Sequence, residues 1–116
     1  MSRERLDLGK KGEDMAQAYL CRQGYRLLER SYRCKLGEAD LIMQNGNTIV
    51  FVEVKTRSSN LFGTPQEAVD ARKQKKLVRV AQSYLQERRL GNVPSRFDVV
   101  AVTGDDIRHI PDAFRA

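Results

Sequence analysis

The spacing of apolar positions changes several times along the chain, and each change marks a different element. From Leu8 to Cys21 apolar residues fall at Leu8, Met15, Ala16, Tyr19 and Leu20, with Gly12 filling the gap in the stripe. That spacing predicts an amphipathic helix over 8–21. Gly24 is placed to stop it as a left-handed C′ residue. The segment YRLLERSYR, 25–33, alternates imperfectly and predicts a strand. Two clearer strands follow, EADLIM at 38–43 and TIVFVEVKT at 48–56. Between them lies Gln44-Asn45-Gly46-Asn47, and Asn-Gly is a strong two-residue hairpin signal. Residues 57–63, RSSNLFG, predict a loop, and Thr64-Pro65 an N-cap followed by proline at the first helical position. Val69, Leu77, Val78, Ala81, Tyr84 and Leu85 then carry an apolar face down a long helix to Arg89, and Gly91 to Pro94 break it. RFDVVAVTG, 96–104, predicts a late strand, and IRHI a short final one. The order helix, three strands, helix, strand predicts an α/β fold, a mixed sheet flanked by helices.

The hairpin carries an oddity in FVEVKTR, 51–57, where a carboxylate and an ammonium interrupt an apolar strand. Burying either charge alone costs several kcal/mol, roughly, unless something compensates it. A turn centred on Asn45-Gly46 would pair Gln44 with Asn47, hence Glu38 with Glu53 and Asp40 with Phe51. Opposed residues share a sheet face. One face then holds Ala39, Leu41, Met43, Val50, Val52 and Val54, wholly apolar and in need of a covering helix. The other holds Glu38, Asp40, Ile42, Ile49, Phe51, Glu53 and Lys55, with three carboxylates and a lysine gathered at one end. Glu38 opposite Glu53 would be a destabilising like-charge pair.

A divalent cation between Asp40 and Glu53, which would lie diagonal to each other, relieves that repulsion. Mg²⁺ is characteristically held by one or two carboxylates plus phosphate oxygens. The Val54 carbonyl is a candidate third ligand. Lys55 would position or deprotonate a water there, and Glu13, beside the stripe of the first helix, would lean into the same cavity. Such a set suits metal-assisted hydrolysis of a phosphodiester. The same residues also admit a plainer reading, a Glu53–Lys55 ion pair with Glu38 and Asp40 solvated at a strand end. Spacing alone leaves both open.

Composition narrows the chemistry. A chain of 116 residues with 41% hydrophobic and 31% charged content is the size and make-up of one globular domain. No stretch approaches the roughly 20 apolar residues of a membrane span. The N-terminus, MSRERLDLGKKGED, lacks the apolar centre of a signal peptide, so a cytoplasmic location and no membrane partner are expected. Cys21 and Cys34 are the only cysteines and His109 the only histidine. One chain therefore cannot assemble a zinc site of four Cys/His ligands, and Ser-His-Asp or Cys-His catalysis is disfavoured. The thiols are expected to be reduced, and His109 to have a surface or packing role. Against 15 acidic residues stand 21 Lys+Arg, a formal charge of +6. The pI of about 9.6 suits a polyanionic partner, of which nucleic acid is the commonest.

At this point the segments resemble something known. D-(x)n-E-x-K on a β-hairpin, behind a helix bearing a glutamate, resembles the PD-(D/E)xK nuclease superfamily. More narrowly, K-G-E-D-M-A-Q-A-Y-L, G-Y-R-L-L-E-R-S-Y-R, G-E-A-D-L-I, F-V-E-V-K-T-R and R-F-D-V-V-A-V resemble the YraN family of small bacterial proteins, themselves similar to archaeal Holliday junction resolvases. The similarity runs from Gly9 to Phe114. It implies a restriction-endonuclease-like fold and carries over Glu13, Asp40, Glu53 and Lys55 as the acidic and basic members of a catalytic site. Glu38 matches the family's G-E-x-D and is a secondary candidate. Ala39 stands where the superfamily has proline before the aspartate.

RKQKK, 72–76, places Arg72, Lys73, Lys75 and Lys76, with Arg79, within two turns of the long helix and with few acidic neighbours beyond Glu67 and Asp70. Such a run is either a solvated helix face or, with Arg57 and the RSSN loop, a phosphate-tracking surface. Phosphate contacts position a duplex without reading its sequence, which suits recognition of a branch. Arg96 and Asp98 alternate with core positions and are expected to form a structural ion pair orienting the last strand. The leading expectation is a Mg²⁺-dependent (or Mn²⁺-dependent) DNA endonuclease of the resolvase-like type, with Asp40 and Glu53 on the metal, Lys55 assisting the water and Glu13 auxiliary. The rival is a nuclease-fold DNA-binding module without chemistry that acts with a DNA-processing partner, and RNA is a third substrate option. Two symmetric cuts at a four-way junction would require a homodimer.

Overall fold

A computed structural model describes residues 3–57 and 69–116. Its first helix, α1, spans Arg3–Arg22. Gly24, at φ 94°, ends it as expected. The Gly24 N–H donates to the Cys21 carbonyl at 3.1 Å and the Tyr25 N–H to the Leu20 carbonyl at 3.0 Å, the paired bonds of a Schellman cap. Three strands follow: β1 Arg26–Cys34, β2 Gly37–Asn45 and β3 Thr48–Arg57. Helix α2 is Ala71–Glu87, then come β4 Ser95–Thr103 and β5 Asp106–Phe114. The strands lie in the order β1-β2-β3-β4-β5 in one sheet. Only β3 and β4 run parallel, and the connection containing α2 makes that crossover. This is the expected α/β order with one addition: the tail foreseen as a short IRHI segment is a nine-residue edge strand. The arrangement is compatible with a nuclease-like fold.

The helices lie on opposite faces. Ala16 and Leu20 of α1 pack with Leu41, Met43, Val50, Val52, Val100 and Val102. Leu77, Val80, Ala81 and Tyr84 of α2 pack with Ile42, Ile49, Phe51 and Phe97. That α2 face is apolar through Ile42, Ile49 and Phe51, and Glu53 and Lys55 stand past Phe51 at one end of it, as expected. Ala39 departs from expectation: it belongs to the α2 core, not to the α1 face that holds Leu41. The alternation breaks at Asp40, opposite the stretch of β1 where Ser31 takes a left-handed φ of 51°.

The hairpin register differs from the expected one by two residues. Asn45 pairs with Thr48, Met43 with Val50 and Leu41 with Val52, so the loop is Gly46-Asn47. Gly46, at φ 61°, takes the first loop position, where a type II′ turn demands glycine, and Asn45 stays in the strand. A shift of two preserves which residues share a face, but it removes the expected Glu38–Glu53 opposition. Exposed Glu38 instead meets Arg33 at 3.4 Å.

The start of α2 also moves. Asp70 is its N-cap, accepting the Lys73 N–H at 2.9 Å, so the helix begins at Ala71 and not at Pro65. Thr64-Pro65, Glu67 and the RSSN loop beyond Arg57 lie outside the described residues. Among those described, no helix is long and apolar enough to cross a membrane.

The expected Arg96–Asp98 pair is present and larger than foreseen. Asp98 is fully buried, takes Arg96 in a two-pronged pair at 2.8 and 2.9 Å, and accepts the Asp112 N–H at 3.0 Å. His109 Nε2 lies 2.7 Å from its other oxygen, and Arg96 also donates to the Tyr25 hydroxyl at 2.6 Å. His109 packs edge-on to Tyr19 and Tyr25, so its role is packing and pairing within the α1 side of the sheet. The cluster ties β5 to β4.

Candidate active site

One residue past the last β2–β3 ladder pair, Leu41 and Val52, stand Asp40 and Glu53. There the Asp40 carboxylate takes over from the backbone ladder, accepting the Val54 N–H at 2.8 Å. The bond anchors Asp40 against β3, close enough to Glu53 that the Asp40 charge bears on its carboxyl. Lys55, two positions further on the same strand and the same face, reaches Glu53 Oε1 at 3.6 Å. Both side chains are largely buried, at 20% and 19% exposure, so their charges are poorly solvated.

Gly12 brings the first helix onto this end of the sheet. It is buried, and a Cβ there would overlap the Thr56 hydroxyl, so only glycine lets α1 come so close to β3. Glu13 follows directly. Its carboxylate lies 3.8 Å from Arg30, which also pairs with Asp14 and donates to Gln17 Oε1 at 3.2 Å. Arg30 thereby fixes the turn of α1 that points Glu13 toward Asp40.

The electrostatics of this end are frustrated. Burial raises the Asp40 pKa, the Val54 N–H opposes the rise, and Glu38 adds to it. Burial and the neighbouring Asp40 push Glu53 up to about 7, against the pull of Lys55 and Lys73. Glu13 is raised as well, by burial and then by Asp40, with Arg30 opposing. Lys55 is pushed below its usual value by burial and by the Lys73 ammonium, with Glu53 and Asp40 opposing. Carboxyls driven toward their neutral form beside a lysine driven toward its own is the pattern of charged groups crowded without enough counter-charge.

Of the residues expected in the site, Asp40, Glu53 and Lys55 come together, Glu13 stands beside them bound to Arg30, and Glu38 sits at the exposed rim. Arg57 ends β3. Arg72, Lys75, Lys76 and Arg79 are exposed along α2. Lys73, grouped with them on sequence, is exposed as well, and its charge bears on Glu53 and Lys55.

A mixed sheet with helices on both faces, and two carboxyls gathered with a largely buried lysine where a hairpin ladder ends, defines a small α/β protein with an acidic–basic cluster at one end of its sheet. The chain belongs to the uncharacterised protein family UPF0102, the YraN family, whose model matches residues 12–102. That span opens at Gly12 and takes in every residue of the cluster. Relatives carry the same family label. A UPF0102 protein of Syntrophotalea carbinolica is 48% identical over 118 residues, covering 98% of this chain and 96% of its own. One from Syntrophus aciditrophicus is 50% identical, covering 96% of this chain and 91% of its own. One from Moorella thermoacetica is 54% identical over 102 residues, covering 88% and 85%.

Proposed function

We propose that this cluster hydrolyses phosphodiester bonds in DNA with the help of a divalent cation. The observation that supports this most is the Asp40–Glu53 pair, two buried carboxyls within reach of each other and short of positive charge. Among the described residues no three Asp, Glu, His or Cys side chains converge as a metal cage. Two protein carboxylates nonetheless match what Mg²⁺ takes at a phosphate site, where water and phosphate oxygens complete the shell. Asp40 and Glu53 would hold the ion, with the Val54 carbonyl as a further candidate. Bound there, Mg²⁺ or Mn²⁺ supplies Lewis acidity toward a phosphoryl oxygen.

The chain's own groups divide the remaining work. Lys55, with its proton loosened by burial and by Lys73, is placed to orient a water and accept its proton. Its protonated form offsets charge on the phosphate. Glu13, held by Arg30, is an auxiliary acid whose raised pKa lets it carry a proton nearer neutrality than a solvated glutamate does. The exposed cations of α2 and Arg57 form a surface on which the DNA backbone lies, positioned by phosphate contacts and without base readout. Branched DNA is the substrate such shape-based binding suits.

The test is to incubate the protein with four-way-junction, linear duplex and RNA substrates, in Mg²⁺ or in EDTA, beside an Asp40→Ala variant. Mg²⁺-dependent cutting of the junction, abolished by Asp40→Ala, is the expected result. Cutting that survives the substitution refutes the site. Salt-sensitive binding without cutting favours a DNA-binding module that works through a partner.

A further inference from the structure

Helix α2 has two stripes with different surroundings. Leu77, Val80, Ala81 and Tyr84 enter the core. Beside them Ala71, Gln74, Lys75, Val78, Arg79 and Gln82 recur at the three- and four-residue steps of a single helix face. That second stripe is one wall of a groove of about 390 Å³, and Arg115 and Ala116, just past β5, are the other. Among the described residues the lining holds three cations, no carboxylate side chain and no aromatic ring. Lys75 and Arg79 are exposed and one turn apart, about 6 Å along the axis. Neither has a carboxylate of the described residues within ion-pair distance. Arg115 pairs with Asp112 at 3.1 Å, but at 85% and 43% exposure that pair is weak. The one acid of α2, Glu87, lies at its far end and accepts the Tyr32 hydroxyl. From Ala71 to Gln82 the wall runs about 16 Å, room for about five nucleotides at 3.4 Å of rise each. Because β3 and β4 are parallel, α2 runs back along the sheet, and its first turn stands at the end that carries Glu53 and Lys55. The groove therefore starts beside the cluster and leads away from it. Cations without stacking rings suit the charged backbone of a nucleic acid and not its bases.

We propose that this groove holds the backbone of one DNA strand as it leaves the cluster, with Lys75 and Arg79 on one side of the strand and Arg115 on the other. The identity of the polyanion as DNA rests on the hydrolase reading. Two facing walls give the strand a course along α2, which an open helix face does not. Arg115, far from the RKQKK run in sequence, becomes a phosphate-binding residue. Contacts of this kind position the strand and carry no sequence information.

The test is equilibrium binding of the full chain to a fluorescent four-way DNA junction in EDTA, over a series of salt concentrations, with polyglutamate as a second probe. Arg115→Gln should lower the log–log salt slope by about 0.9, the loss of one phosphate contact. Lys75→Gln combined with Arg79→Gln should lower it by about twice as much. Arg115→Lys keeps the charge and should keep the slope. Arg22→Gln removes an equal charge from α1, on the opposite face of the sheet, and should change nothing. All four side chains are exposed, and circular dichroism of each variant checks the fold. An unchanged slope in Arg115→Gln, an equal fall in Arg22→Gln, or no binding of the junction overturns the proposal. So does tighter binding of polyglutamate through the same residues, which would make the occupant an acidic protein. If the junction binds through Arg115 and is not cut in Mg²⁺, the groove stands and the hydrolase reading falls. If the junction is cut while Arg115→Gln binds it as the wild type does, the reverse holds.

Discussion

The sheet buries two clusters of charge, and they are wired in opposite ways. Around Asp98 every demand is met: a two-pronged arginine, a histidine and a backbone N–H surround one carboxylate. Burial alone would raise the Asp98 pKa, but hydrogen bonds from His109, Arg96 and the Asp112 N–H outweigh it and hold the carboxyl below its usual value. At the other cluster Asp40 and Glu53 stand side by side, one lysine, Lys55, lies 3.6 Å from Glu53, and the carboxyls are raised. Both clusters draw on neighbouring strands of one sheet and both are shielded from water. What differs is completeness. A closed network holds β4, β5 and Tyr25 together, whereas the other keeps its carboxyls raised beside too little counter-charge, which a cation would supply. Strained ionisation is what makes the second the candidate site, while the first serves the scaffold.

The sharpest way to break this contrast is to remove Asp98. Asp98→Ala leaves the Arg96 guanidinium without its carboxylate and should cost about 3–5 kcal/mol in urea unfolding. A loss under 1 kcal/mol, on the order of a surface change, would show that the network is ornamental. Next in size is Gly12→Ala, whose methyl meets Thr56. It should cost about 1–3 kcal/mol, and adding Thr56→Ala should recover most of that. A third change should act in the other direction. Asp40→Asn keeps an oxygen for the Val54 N–H but removes a poorly compensated charge. It should stabilise the metal-free protein by on the order of 1 kcal/mol while abolishing activity.

The two clusters also tilt stability against pH in opposite senses. Glu53 rises from 4.5 to about 7 on folding, so the folded state holds its proton more tightly. Its contribution is present below 4.5 and is lost as pH climbs through about 7. The gain from Asp40→Asn should therefore be larger at the alkaline end of that window. Asp98, depressed on folding, contributes above its usual value of 3.8 and loses that contribution as pH falls through its lower folded value. The smallest effect belongs to the outer cations. Lys76→Ala should change stability by less than about 0.5 kcal/mol. In DNA binding it should flatten the salt dependence by about 0.9 in log–log slope, equally for all sequences.

The elements and the central residues were legible because hydrophobic period and hairpin parity carry them. Glu53 and Lys55 share a face by strand alternation and Asp40 joins them through its bond to the Val54 N–H, so mistaking the turn centre left the cluster intact. The shift did change its detail. It placed Asp40 and Glu53 together one step past the ladder and freed Glu38 to pair with Arg33. Asn45-Gly46 and Gly46-Asn47 are both acceptable hairpin loops, and local sequence does not choose between them. The start of α2 was misplaced because Thr64-Pro65 is a stronger written signal than a lone Asp70, whose capping role shows only in its bond to Lys73. The Asp98 network was half visible: Arg96-x-Asp98 announces a pair, but His109 and Asp112 reach it only through the β4–β5 pairing.

The most direct measurement is the uptake of Mn²⁺ by the metal-free protein, followed by electron paramagnetic resonance beside Asp40→Asn and a distant charge control, Glu87→Gln. Saturable binding of one ion per chain, lost in Asp40→Asn and retained in Glu87→Gln, is the predicted result. No uptake by the wild type, or uptake indifferent to Asp40, would contradict the account.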